Sequence, residues 1–274
     1  HMKKIITILS LIGIVTIFQF CSKDDVTNTN VVTTPTLPAT IFNYIVSYPA
    51  HIQADLTAND NTPADNPITN DGATLGRVLF YDKQLSKNNT VSCGSCHRQD
   101  LSFDDDIQFS KGFEGGLTTR NSMSLLNLRF YKNGKMFWDE RTATLEKQAL
   151  QPIQNHVEMG LTLAELESKV KAQSYYPALF QKAFGTADID SVRIAKALAQ
   201  FERSIVTYQS KYDQVKQGTA TFTTLENQGE QLFLTAVGPG GANTCATCHA
   251  PPMFLKSNTP GFSITDVGDT TGIN

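Results

Sequence analysis

The sequence has no excess of positive charge, few strand signals, only five cysteines and no apolar run of comfortable bilayer-spanning length. A formal charge of −3 over 274 residues gives no reason to expect nucleic acid or an anionic membrane as a partner. The scarcity of alternating apolar patterns excludes a sheet-based fold, and an ordinary apolar fraction is enough to bury one large core or two smaller ones. The longest apolar run, residues 5–20, falls short of the ~20 residues of a comfortable span.

That run follows Lys3 and Lys4 and ends at Cys21, which is the layout of an export signal. Cys21 followed by "SKDD" resembles a bacterial lipoprotein processing site, although Gln19 and Phe20 are bulkier than such sites prefer; a plain secretory signal is the alternative. Residues 22–40 are rich in Thr, Asn and Pro and read as a disordered tether. The chain is therefore divided into a signal over 1–21, the tether over 22–40, and two helical domains over 41–208 and 209–274.

Helical periodicity dominates the rest. Leu75, Val78 and Leu79 share a face just before the first cysteine motif; Thr162 and Glu165 make a capping box ahead of Leu163, Leu166 and Val170. Ile194, Leu198, Phe201 and Ile205 define a long amphipathic helix. A further helix, carrying Leu225, Leu232 and Phe233 on one side, leads into the second motif.

Apart from Cys21, every cysteine lies in one of two copies of Cys-x-x-Cys-His: Cys93, Cys96 and His97 in "SCGSCH", and Cys245, Cys248 and His249 in "TCATCH". A redox dithiol or disulfide would leave both histidines unexplained, and no βαβ pattern surrounds either pair. A four-cysteine zinc site would need pairs much closer together than these. Covalent c-type haem uses every group: two thiols form thioethers with the porphyrin vinyls, and the adjacent imidazole ligates iron. Two complete copies predict two such haems, in agreement with an export signal.

"LGRVLFYD", "SCGSCH", "RNS", "FWDERTATLEKQA", "EMG" and "GEQLF" together resemble the bacterial di-haem cytochrome c peroxidase family, which includes the methylamine-utilisation enzyme MauG. The resemblance runs from about Leu75 onward. It implies a mainly α fold of two cytochrome c-like haem domains. Hydrogen peroxide is bound at the first haem, and the second receives electrons from a small cytochrome c or copper protein. Carried over by position, Glu158 is the acid–base group, Gln148 lines the peroxide pocket, and Trp138 lies between the haems as an electron relay. Arg141 meets a haem propionate, and Asn121 ligates a calcium ion between the haems. The resemblance also implies an exported, periplasmic protein, with a homodimer common in the family. Oxidative tailoring of another protein and non-catalytic electron carriage remain the alternatives.

Two departures stand out. Many members place a loop histidine over the first iron, whereas no histidine occurs between His97 and His156; the loop reads "FSKGFEGGLTTRN". The expectation is a first haem that is five-coordinate without reductive activation. Met123, where "RNSP" is common, and His156 are read as filler and surface side chains, and His51 carries no motif. Members also continue past "DVGDTTGIN" to supply the second iron's far ligand, so the second domain is expected to be incomplete, with Met253 poorly placed to substitute.

Overall fold

The computed structural model describes residues 34–235 and 244–256. The expected signal over 1–21, Cys21, most of the tether and the terminal "DVGDTTGIN" lie outside the described residues.

From residue 34 the chain runs without regular structure to helix α1 (Ala50–Asn59), and α2 (Asn70–Tyr81) follows. Thr69 caps α2 by accepting the Gly72 N–H at 2.9 Å, and the helix buries Leu75, Leu79 and Phe80. After a one-turn helix, α3 (Cys93–Cys96), a long irregular stretch reaches α4 (Leu145–Gln154), α5 (Leu163–Lys171), α6 (Tyr176–Phe184) and α7 (Ser191–Arg203). The Thr162–Glu165 capping box opens α5 as its sequence predicts, and the Asp190 carboxylate accepts the Arg193 N–H at the start of α7.

The core forms where α2 lies along α7, with α4 and α6 on either side. The approach of α2 to α7 rests on glycine: a Cβ on Gly76 would lie 1.9 Å from the Ala197 carbonyl oxygen. Buried Arg203 ties α7 to α4 through Glu146 at 2.5 Å and reaches Asn61 Oδ1 at 3.0 Å. Gln200 bridges Thr69 and Asn66, so its amide is satisfied inside the fold.

Beside this network, Glu202 is buried and its Oε2 has no hydrogen-bond partner among the described residues. Burial pushes its carboxyl up to about 8, against the pull of Arg203 and with a further push from Glu146. As pH rises from the ordinary 4.5, the unfolded carboxyl ionises first, so stability is lost progressively up to about pH 8. Glu202→Gln removes that loss. Its Tm advantage over the parent is expected to grow from about pH 5 to about pH 8.5, measured by thermal melts at both values.

Helices α8 (Lys211–Lys216), α9 (Thr224–Leu234) and α10 (Cys245–Cys248) complete the described chain, with a small hairpin of β1 (His249–Ala250) and β2 (Leu255–Lys256). His51 of α1 pairs with Asp213 of α8 at 2.9 Å, giving that histidine a structural role. Met253 is buried against Ile52 and Phe130. On α9 the expected apolar side is split. Glu226 and Glu230 pair with Lys211 and Lys216, and Phe233 meets Phe254 edge-on. Leu225 and Leu232 lie roughly 80° round the helix from Phe233, and both are exposed.

Candidate haem-binding site

The two Cys-x-x-Cys-His motifs fold into the same local device. Each pair of cysteines opens and closes a single helical turn begun by a reciprocal cap: Ser92 with Ser95, and Thr244 with Thr247. In the first, the His97 N–H closes the turn on the Cys93 carbonyl at 2.9 Å, and the His249 N–H does the same on Cys245. Each imidazole then places Nδ1 against a downstream carbonyl, His97 on Phe103 at 3.1 Å and His249 on Phe254 at 3.3 Å. A carbonyl only accepts, so Nδ1 carries the hydrogen and Nε2 keeps its lone pair. Both acceptors, Phe103 and Phe254, have left-handed backbones, at φ 57° and 55°.

Around the first turn the chain gathers polar groups. Burial raises both thiols, Cys93 and Cys96, and the nearby Glu158 carboxyl adds to the rise of each. Burial likewise lowers the His97 imidazole, against weaker support from the Phe103 and Met123 backbones. These directions favour the neutral forms that thioether formation and metal ligation use.

Glu158 sits in the turn after α4, held by Asn155, whose side-chain oxygen accepts the Val157 N–H at 2.8 Å. The loop at 110–118 packs on this turn: Phe113 N–H donates to the Glu158 carbonyl at 3.0 Å, and a Cβ on Gly112 would fall 1.6 Å from the Val157 carbonyl oxygen. Glycine at 112 therefore lets that loop lie flat against the Glu158 turn. Burial raises the Glu158 carboxyl, opposed by the Arg141 charge.

Arg141, half-exposed, pairs with Asp139 at 2.8 Å and lies over the Phe137 ring. Arg120 takes the other oxygen of Asp139 at 2.7 Å. Against the cost of burial, the two guanidiniums hold the Asp139 carboxyl down at about 2. Next to this cluster the Trp138 indole N–H donates to the Asn121 backbone carbonyl at 3.0 Å, while the Asn121 amide donates to Ile107. Thus Trp138, Asn121 and Arg141 belong to one neighbourhood, which Glu158 joins through Arg141. Gln148 is half-buried on α4, one helix before the Glu158 turn. Met123 is half-buried and His156 exposed. Sequence patterns gave no sign of the Arg120–Asp139 pair or of the left-handed backbones at Phe103 and Phe254; a pairing of arginine with aspartate 19 residues away has no local signature.

The described cysteines are all free thiols. Among the described residues no group of three or more His, Cys, Asp or Glu is arranged to hold a metal ion, so the four-cysteine zinc alternative finds no site there. Paired thiols on one turn, followed by an imidazole whose Nδ1 is held by a backbone carbonyl, fit covalent haem at both motifs.

The family model for di-haem cytochrome c peroxidase matches residues 70–221, which include the first motif and Glu158. The chain is 35% identical to cytochrome c551 peroxidase of Nitrosomonas europaea, over 71% of this chain and 56% of that protein. It is 32% identical to the methylamine utilization protein MauG of Methylophilus methylotrophus, over 72% and 57%. The crystal structure of a MauG-like protein associated with microbial copper homeostasis superposes with a TM-score of 0.66 at 31% identity, covering 80% of this chain and 62% of that one. The chain thus spans a little over half the length of these curated relatives.

Proposed function

Because the chain belongs to the di-haem cytochrome c peroxidase family, we propose that it reduces hydrogen peroxide to water with electrons from a small cytochrome c or copper protein. Membership implies two c-type haems. Cys93, Cys96 and His97 would hold the first, and Cys245, Cys248 and His249 the second. When bound, they supply redox-active iron, the first haem for peroxide and the second for incoming electrons.

The observation that carries this reading is Glu158, a half-buried carboxyl with a raised pKa in the turn after α4, close enough to the first attachment turn to act on both of its thiols. Peroxide reduction moves a proton off one oxygen and onto the other. Glu158 takes the first proton and returns it to the departing oxygen, and Gln148 orients the peroxide. Arg141 and Arg120 fix the loop that carries Trp138, which serves as the relay between the haems. The Asn121 amide nitrogen is engaged by Ile107, leaving its Oδ1 for a hard cation such as calcium. The protein acts after export, anchored through Cys21, and with no histidine between His97 and His156 it would need no reductive activation.

The test is protein matured with the haem-attachment machinery. The expected result is two haems per chain by absorbance, with one lost in Cys93→Ser/Cys96→Ser. Peroxide-dependent oxidation of a reduced cytochrome c or copper protein is expected in the parent and absent in that variant. Haem-loaded protein that oxidises no such donor would remove the peroxidase reading. The MauG relatives at 32% identity favour a second reading, oxidation of a protein substrate, which would leave donor turnover negligible and modify the substrate instead.

A further inference from the structure

Tyr81 ends α2 directly against the first attachment turn. A Cβ on Gly94, between Cys93 and Cys96, would lie 2.6 Å from Tyr81 Cδ1 and 2.7 Å from Cε1, so the phenol ring fills the space that a side chain at 94 would take. The same ring meets Phe80 edge-on at 5.1 Å, and Phe80 meets Phe103, whose carbonyl holds His97, at 6.2 Å. Tyr81 therefore touches the thiol-bearing turn and, through one ring, the loop that orients the ligand imidazole.

Its other side faces water. Tyr81 is 40% exposed, and among the described residues its hydroxyl makes one long contact, to Gln99 Oε1 at 3.3 Å. Other tyrosines are engaged more firmly: Tyr175 and Tyr176 both donate to Asp82, and Tyr131 donates to Glu140. Tyr44 is buried in the core. Phenol oxidation needs an electron acceptor on one side and an exit for the hydroxyl proton on the other. The position of Tyr81, between the haem turn and solvent, offers both.

We propose that Tyr81 is the outlet through which oxidising equivalents made at the first haem reach the surface, so that it is a one-electron oxidation site. The proposal rests on the peroxidase reading. Tyr81 gives one electron to the peroxide-oxidised first haem site and its phenolic proton to water. With a reductant present, the phenol is restored by one electron and one proton. Without one, the Tyr81 rings of two copies join by a carbon–carbon bond: one hydrogen peroxide takes up two electrons and two protons to give two waters, and two phenols become one dityrosine.

The experiment treats haem-loaded protein with hydrogen peroxide and no donor. Peroxide consumption is followed alongside dityrosine fluorescence, denaturing gels and peptide mass spectrometry. The expected result is a cross-linked dimer with the link mapped to the peptide containing Tyr81. Tyr81→Phe keeps the ring on Gly94, both haems and donor-supported turnover, yet forms at least tenfold less dimer. An undiminished dimer in Tyr81→Phe overturns the proposal, as does peroxide consumption by the parent with an unmodified Tyr81 peptide. Protein carrying both haems that consumes no peroxide, with or without donor, overturns the peroxidase reading and the outlet with it.

Discussion

Glu158→Gln is expected to keep both haems and to lower peroxide turnover by about 10²–10⁴-fold, the range for losing a positioned acid–base group. Glutamine preserves the size of the side chain and can still hydrogen-bond, but it cannot take up a proton and return it. Burial raises the Glu158 carboxyl against the weaker pull of Arg141. The basic form therefore disappears as pH falls through a value above the ordinary glutamate range, and the acid limb of the parent's pH profile follows it. In Glu158→Gln that limb vanishes. Steady-state rates from pH 4 to 8, with haem absorbance as the control for loading, check both. A variant with the parent's rate and profile would remove Glu158 from the proton path.

Gly76→Ala is expected to produce the largest loss of stability, about 3 kcal/mol, at the upper end for overpacking a core. Its added methyl would meet the Ala197 carbonyl oxygen at 1.9 Å and the Phe201 Cβ at 2.8 Å. The obstacle is helix backbone, which cannot swing aside as a side chain does, so α2 and α7 must separate along the seam that forms the core. A fall in Tm of roughly 10 °C follows for a chain of this size. Gly229→Ala on α9 is the control, because its methyl would meet nothing within 4 Å. Thermal melts of the two variants should differ sharply. Equal Tm values would mean that the helices part at little cost.

The elements most legible in the sequence were those set by short-range rules. The cap at Thr162 and the apolar stripe of α7 depend on residues within a few positions, and the structure places them as expected, except that α7 ends at Arg203, before Ile205. The miss on α9 has the same root: periodicity shows which residues share a face but not what covers it. The helix is oriented by Glu226 and Glu230 toward lysines of α8, which turns Leu225 and Leu232 outward. Around the first motif, sequence resemblance selected Glu158, Trp138, Asn121 and Arg141. The bonds that hold them, Arg120 to Asp139 and Trp138 to the Asn121 carbonyl, join positions 17 to 19 apart across irregular chain, where no period operates. Glu202 escaped notice because a glutamate within an amphipathic helix reads as solvated until its neighbours are known.

In both motifs the carbonyl that orients the imidazole comes only five or six residues after it, and the cap that starts the turn stands directly before the first cysteine. Each attachment turn is therefore written in about a dozen consecutive residues. A turn specified so locally can form before the distant helices have met, so the geometry of each motif does not wait for the finished core.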